Sequence, residues 1–145
     1  MTRRQATKAL LVSTIGVVAG AGRAQAPAPQ RIAELGQLGE VGADVPFDFA
    51  RQKALLVRVP PPQKPNPRVL QAGSIYLTAF SRTCTHAGCI VPLPDQRGLM
   101  ECGCHGSRFR ADGVLLDGPA PTDLRAIALE LRQNEVWAVG WLENP

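Results

Sequence analysis

The residues of this chain that could do chemistry are concentrated in two short segments. All four cysteines and both histidines of the 145-residue chain lie in residues 84–89 (CTHAGC) and residues 102–107 (CGCHGS). Each segment supplies a cysteine and a histidine at ligand spacing, and one further cysteine. Thiolate and imidazole donors together suit a mixed-ligand [2Fe-2S] centre, in which two thiolates hold one iron and two imidazoles hold the other. The candidate donors are Cys84, His86, Cys102 and His105.

Two other uses of these side chains remain open. Zinc accepts thiolate and imidazole in tetrahedral sets, so four of the six side chains could hold one structural zinc ion. Structural zinc sites more often show a C-x2-C knuckle, and zinc would leave two cysteines without a role. Two disulfides would suit an exported chain, in any of three pairings. That interpretation leaves the paired histidines unexplained.

The two segments resemble the boxes of the Rieske iron-sulfur proteins, which read C-T-H-x-G-C and C-x-C-H-G-S with a short insert between them. Residues 118–121 (GPAP) resemble the Gly-Pro loop that covers the cluster in this family. The resemblance therefore spans residues 84–121. It implies that two cysteines hold an inner iron and two histidines hold an outer iron near the surface, namely Cys84, Cys102, His86 and His105.

The resemblance also bears on four residues beside the ligands. Ser107 matches the family serine whose hydroxyl donates to a bridging sulfide and raises the reduction potential; a serine that stabilises a turn is the alternative. Phe109 stands where quinol-oxidising members commonly have Tyr, which predicts a lower midpoint potential. Ala87 stands where such members often have Leu, and Gly103 replaces a usual Pro. Both changes predict a more open cluster and a less stiff second loop.

Two cysteines, Cys89 and Cys104, are surplus to the cluster. The resemblance implies that they form the disulfide that joins the two boxes in quinol-oxidising Rieske proteins. Such a bond would close a loop of about 15 residues and contribute roughly 3 kcal/mol in the chain-entropy model. Disulfides persist outside the cytosol and are rare within it. We therefore expect the protein to work in the periplasm or on the outer face of the inner membrane.

Residues 1–26 have the order of an export signal, with basic, apolar and small-residue regions in turn. Arg3 and Arg4 form a twin-arginine pair, which suits a domain that receives its cluster in the cytoplasm and crosses the membrane folded. The uncharged run at residues 9–22 would make a helix of about 21 Å, shorter than the roughly 30 Å hydrocarbon core. Small residues around Arg23 favour cleavage, and retention as an N-terminal anchor is the alternative.

The charge of the chain is carried by its first segment. The formal net charge is +4, from 16 basic and 12 acidic residues, and the four basic residues before residue 27 account for all of it. The remainder is balanced, which argues against the basic face that nucleic-acid binding requires. Residues 27–33 are predicted to be a Pro/Ala linker. Residues 34–145 are predicted to be one Rieske domain, since they are too few for two domains.

Strand patterns dominate this domain and must position the two boxes. We predict an all-β fold, a Rieske-like antiparallel β-sandwich with a loop-built cluster-binding subdomain. In residues 74–81, Ile75, Leu77 and Ala79 alternate with Tyr76, Thr78 and Phe80, which predicts a strand that leads into the first box. Residues 98–101 are predicted to be a short strand that leads into the second box. Residues 60–67 are predicted to be a loop, because proline lacks a ladder donor. Further strands are predicted at residues 54–59, 124–132 and 136–141, with Trp137 and Trp141 on one face and packed in the core or against the sheet.

The resemblance implies one-electron transfer by the iron-sulfur subunit of a quinol:cytochrome c oxidoreductase. Its partners would be cytochrome b and a c-type cytochrome, with quinol as donor. The alternative is the Rieske small subunit of a periplasmic molybdenum oxidase of the arsenite oxidase type, bound to the molybdenum oxidase large subunit; the short uncharged run and Phe109 favour it. A non-redox zinc-bound module is a third hypothesis. No nucleophile, phosphate loop or acid-base pair has convincing spacing, so the chain is not predicted to be catalytic alone.

Overall fold

The computed structural model describes residues 25–143. The predicted twin-arginine pair and uncharged run fall in residues 1–24, outside this part, as do residues 144–145. Within residues 25–143 no helix is long and apolar enough to cross a bilayer. This part consists of one 3-10 turn at Leu35–Gln37 and ten strands: β1 (Gln30–Glu34), β2 (Asp44–Phe49), β3 (Gln52–Val59), β4 (Leu70–Ala72), β5 (Ile75–Ser81), β6 (Leu99–Glu101), β7 (Arg108–Arg110), β8 (Leu115–Asp117), β9 (Ile127–Arg132) and β10 (Glu135–Trp141).

The strands form three antiparallel sheets, which confirms the predicted all-β class. A four-stranded sheet has the order β2-β3-β5-β4. One three-stranded sheet has the order β1-β10-β9, and the other has the order β6-β7-β8. In the second of these, the second box joins β6 to β7, and the Gly-Pro loop follows β8. The predicted loop at residues 60–67 contains no strand residue. The third sheet and the loops around it are the predicted cluster-binding subdomain.

The central strands of the four-stranded sheet, β3 and β5, are buried on both faces. Successive side chains of a strand point to opposite sides, so each of these strands contributes to two cores. On β3, Leu55 and Val57 face one core, and Leu56 faces the other. On β5, Phe80 faces the first core and Leu77 the second. We name the first the cluster-side core, since it also contains Cys84, Val91, Met100, Cys102, Phe109, Ala120 and Leu124. We name the second the far core; it contains Ala33, Leu38, Phe49, Ile127, Val136 and Ala138.

Strand β1 occupies most of the segment predicted as a linker. Residues 27–33 were expected to precede the domain, whereas residues 30–34 pair with β10, with Gln30 opposite Ala138 and Glu34 opposite Glu135. The physical reason is burial, because Ala33 is only 4% exposed and belongs to the far core. The ordered domain therefore includes residues ahead of the predicted start at residue 34.

The two tryptophans do not share one face of β10, which corrects the sequence prediction. The pairing of β10 with β9 shifts between Ala138 and Gly140, a bulge that reverses which side chains point inward. Trp141 packs against the far core, where its ring meets the Phe49 ring edge to face with ring centres 5.3 Å apart. Trp137 lies on the opposite face, where the Arg132 guanidinium is 4.4 Å from its ring centre.

Candidate metal centre

The two boxes are loops that extend directly from strands. The first follows β5, and an isolated bridge between Thr83 and Ile90 closes its base. The second joins β6 to β7, and the pair formed by Glu101 and Arg108 closes its base. Since β5 belongs to the four-stranded sheet and β6 to the small sheet, the cluster-side core between them fixes one box relative to the other.

Each box is closed by two backbone hydrogen bonds, and these bonds occupy equivalent positions in the two boxes. The N–H of the first residue donates to the carbonyl of the sixth, and the N–H of the fifth donates to the carbonyl of the first. The fifth residue is glycine in both, with φ of +78° at Gly88 and +76° at Gly106, a conformation that other residues rarely adopt. The bonds are Cys84 to Cys89 at 2.8 Å, Gly88 to Cys84 at 2.9 Å, Cys102 to Ser107 at 2.8 Å and Gly106 to Cys102 at 2.9 Å.

A disulfide between Cys89 and Cys104 joins the two boxes. This is the pairing that the resemblance implies. Its Cα atoms are 6.5 Å apart and 15 residues apart in sequence. Cys89 is half-buried and Cys104 is exposed. The sulfur atoms of both lie within 4.8 Å of the Cys102 sulfur, so three of the four cysteines converge on one point.

The four proposed ligands divide into a buried pair and an exposed pair. Cys84 and Cys102 are free thiols that are 3% and 2% exposed. His86 and His105 are exposed, and their rings meet edge to face with centres 4.6 Å apart. Two sulfurs inside and two imidazoles outside are the donor set that a mixed-ligand diiron cluster requires. The residues present therefore fit this cluster.

The surroundings of Cys84 favour its neutral thiol form, so a nearby cation is needed for the thiol to ionise. Burial raises the pKa of Cys84, and its neighbour Cys102 raises it further. Backbone hydrogen bonds from His86 and Ala87 oppose this shift. A coordinating metal ion deprotonates such a thiol outright. The iron would therefore supply the positive charge that this apolar site lacks.

The Gly-Pro loop forms a third wall against the second box. The Ala120 N–H donates to Ser107 Oγ at 2.9 Å, and Ser107 is only 1% exposed. Gly118 has φ of +100°, and a Cβ atom there would lie 2.5 Å from the Ser107 Cα. Thr85 Oγ1 donates to the Thr122 carbonyl at 2.8 Å, which joins the first box to the same loop. Because Ser107 Oγ accepts from Ala120, its own proton remains available to a second acceptor.

The three departures from the family pattern lie in two environments. Phe109 is fully buried in the cluster-side core and pairs with Met100 across the small sheet. Ala87 and Gly103 are exposed beside the two histidines, and a Cβ atom at Gly103 would meet nothing within 4 Å. The surface next to the imidazoles is therefore formed by small residues.

Sequence reasoning did not identify Thr85 and Ala120 as contacts that hold the site together. Thr85 is a box residue whose hydroxyl reaches a carbonyl 37 residues later in the chain, and Ala120 acts through its backbone. A backbone donor leaves no side-chain signal. For Gly118 the signal was its place at the head of the GPAP segment, although its close approach to Ser107 could not be inferred.

Comparison with known proteins agrees with this geometry. A family model described as Rieske [2Fe-2S] domain matches residues 31–128. The cytochrome b6-f complex iron-sulfur subunit 3 of Nostoc sp. strain PCC 7120 is 31% identical, over 99% of this chain and 88% of that one. The cytochrome b6-f complex iron-sulfur subunit of Synechococcus sp. strain JA-3-3Ab is 33% identical, over 50% of this chain and 42% of its own length. This chain thus spans less than half of that relative.

A solved structure shares the fold. The plasma membrane Rieske protein of Synechocystis PCC 6803 superposes with a TM-score of 0.54 at 24% identity, over 79% of this chain and 99% of that one. The family match covers the two boxes, the disulfide and the whole Gly-Pro loop. The chain therefore belongs to the Rieske [2Fe-2S] domain family, and its cofactor is a Rieske-type [2Fe-2S] cluster.

Proposed function

We propose that this protein transfers single electrons through its cluster as the iron-sulfur subunit of a bc-type complex, a quinol:cytochrome c oxidoreductase. The observation that carries the proposal is the meeting of two buried thiols and two exposed, touching imidazoles in loops joined by a disulfide. A redox centre that must reach a partner needs one protected side and one accessible side. The arrangement of these four side chains supplies both.

In this proposal Cys84 and Cys102 hold the inner iron, and His86 and His105 hold the outer iron. When bound, the cluster supplies a one-electron carrier whose potential the imidazoles raise above that of all-thiolate clusters. The exposed rings provide the contact with a redox partner. The ring nitrogen that each histidine does not use for ligation can hold a proton, which suits a donor such as quinol that loses protons with its electrons.

The cluster-side core and the Gly-Pro loop exclude water from the two buried thiols. The cluster-side core covers the two thiols, and the Gly-Pro loop closes over Ser107. We propose that the free Ser107 proton is donated to a bridging sulfide, which would raise the potential through hydrogen bonding beyond the ligands. The Cys89–Cys104 disulfide keeps the two boxes together where they face solvent.

We further propose cytochrome b and a c-type cytochrome as partners, at the outer face of the inner membrane. The names of the cytochrome b6-f relatives support these partners over the large subunit of a molybdenum oxidase. The disulfide supports an oxidising compartment. The arginine pair at the N-terminus supports twin-arginine export.

Spectroscopy of the purified full-length chain tests the cluster assignment. We expect dithionite to bleach the protein and to produce the EPR spectrum of a reduced mixed-ligand cluster. The Cys102→Ala variant should lose iron and signal, whereas Gly103→Ala, a neighbouring change with open space around it, should keep both. Protein that contains zinc and no iron after anaerobic reconstitution would refute the assignment.

Isolation of the native complex tests the partners and the location. An affinity tag at the C-terminus should recover cytochrome b and a c-type haem protein from mildly solubilised membranes. Recovery of a molybdenum subunit instead would refute the bc-type assignment. Replacement of Arg3 and Arg4 by Lys should leave the protein in the cytoplasm with its cluster, and normal export of that variant would refute the twin-arginine route.

A further inference from the structure

Cys102 lies beside the disulfide that joins the boxes, although it is not part of that disulfide. Its sulfur is within 4.8 Å of the sulfurs of both Cys89 and Cys104. It is a free thiol in a buried position. Reagents in solution reach a buried thiol poorly, but a disulfide whose sulfurs already lie within 4.8 Å of the thiol sulfur needs no diffusing reagent. The geometry therefore pairs a protected nucleophile with a disulfide at short range.

We propose that Cys102, when it does not hold iron, attacks this disulfide and replaces Cys104 as the partner of Cys89. The inference rests on the proposed ligand role of Cys102, because the same sulfur cannot hold iron and act as a nucleophile. In the exchange a bond forms between the Cys102 and Cys89 sulfurs. The bond between Cys89 and Cys104 breaks, and its electron pair leaves with Cys104, which takes up the proton that Cys102 loses as it attacks. No oxidant or reductant is consumed.

The structure indicates which sulfur is attacked. Attack on Cys104 would join two cysteines separated by Gly103 alone, in a small and strained ring, whereas attack on Cys89 joins residues in different boxes. Departure is also easier from Cys104, because it is exposed and water can solvate the thiolate that leaves. Cys89–Cys102 is therefore the product.

The exchange would have a consequence for assembly. In the protein with the Cys89–Cys102 disulfide, Cys102 can no longer bind the inner iron, and Cys104 is a free thiol at the surface. This form cannot accept a cluster in the proposed way. The cluster must then be inserted before the disulfide forms, and iron bound at Cys102 protects the pairing afterwards. This order agrees with cluster insertion in a reducing compartment followed by export of a folded domain.

A time course with the full-length protein tests the exchange. Iron is removed from the loaded protein with excess EDTA under argon in mild acid. The sample is then brought to about pH 8, where thiol–disulfide exchange proceeds. Aliquots are acidified, their free thiols are alkylated with N-ethylmaleimide, and the protein is digested with trypsin without reduction. Cleavage after Arg97 and Arg108 leaves Cys102 and Cys104 in one peptide, residues 98–108. Fragment ions on either side of Gly103 show which of the two carries the label.

We expect the label to move from Cys102 to Cys104 in the iron-free protein. In loaded protein that is carried through the same steps without EDTA or the mild-acid step, the label should remain on Cys102. The iron-free Cys84→Ser variant, which keeps the nucleophile, should behave like the iron-free parent. The iron-free Cys102→Ser variant should keep the Cys89–Cys104 pairing. A label that stays on Cys102 in the iron-free parent, or a pairing lost equally in Cys102→Ser, would overturn the proposal. Failure of the cluster assignment would appear separately, as a loaded sample that gives no EPR signal after reduction with dithionite.

Discussion

The backbone N–H of Ala120 donates to the hydroxyl oxygen of Ser107 at 2.9 Å, and this bond joins the Gly-Pro loop to the second box. The hydroxyl of this buried serine has two roles, and each can be measured by a separate experiment. It accepts from the loop and, in the proposed function, donates to the cluster.

The Ser107→Ala variant should therefore lose both stability and reduction potential. Leaving the buried Ala120 N–H without a partner costs about 1 to 3 kcal/mol. Urea unfolding and a potentiometric titration measure the two effects. The matched control is Thr78→Val, since the Thr78 hydroxyl is buried and has no hydrogen-bond partner among the described residues. That variant should lose no stability and keep the parent potential. Equal potentials for Ser107→Ala and the parent would contradict the proposed donation.

The close approach of Gly118 to the second box predicts a strongly destabilised Gly118→Ala variant. The new Cβ atom would lie 2.5 Å from the Ser107 Cα, at a φ of +100°. Clash and backbone strain together should cost about 3 kcal/mol. The variant should lose its visible absorption at a lower temperature than the parent. Gly103→Ala, where the added atom meets nothing within 4 Å, should lose it close to the parent temperature; a similar loss in both would show that loop contact is not the cause.

The absence of a hydroxyl group on Phe109 leads to a prediction about the midpoint reduction potential of the cluster. Phe109 belongs to the same core as Cys84 and Cys102, and its ring has no group that can donate to a ligand sulfur. A Phe109→Tyr variant should titrate at a higher midpoint potential than the parent, because a donated hydrogen bond stabilises the reduced cluster. Tyr76, which packs on the same core, supplies the control: Tyr76→Phe should leave the potential unchanged. A Phe109→Tyr potential at or below the parent value would refute this role.

The hydrogen bonds of Asp95, in the insert between the boxes, predict that the stability of the fold depends on pH. Hydrogen bonds from the backbone N–H of Leu99 and of Arg97, with the Arg97 guanidinium, lower the pKa of Asp95. A carboxylate with a lowered pKa stabilises the fold above its unfolded pKa and loses that contribution as pH falls through the folded pKa. The parent should therefore melt higher than Asp95→Asn at neutral pH, and the difference should shrink as the pH falls below about 4. A difference that is constant from neutral to acid pH would contradict this.

The chemistry of the site could be predicted from sequence because its ligands are local. Each box places its Cys, His and Gly within six residues, and the two backbone hydrogen bonds that close each loop stay inside it. Alternation along β5 was also informative, since it separates the Phe80 face from the Leu77 face. These features depend on neighbours along the chain.

Features that depend on distant parts of the chain were not predicted. β1 pairs with β10, more than 100 positions away, and buries Ala33 in the far core. The bulge at Val139 places Trp137 and Trp141 on opposite faces, and nothing in the alternation of residues 136–141 marks it. The contact of Gly118 with Ser107 likewise depends on how the subdomain folds back on itself.

The sheet that carries the first box has Leu55 on one face and Leu56 on the other, both completely buried. A shortened side chain at Leu56 would open a void on the side that never approaches the iron. Leu55, on the other face of the same strand, belongs to the core that contains Cys84. The precision of the redox site therefore depends partly on residues that no survey of its ligands would include.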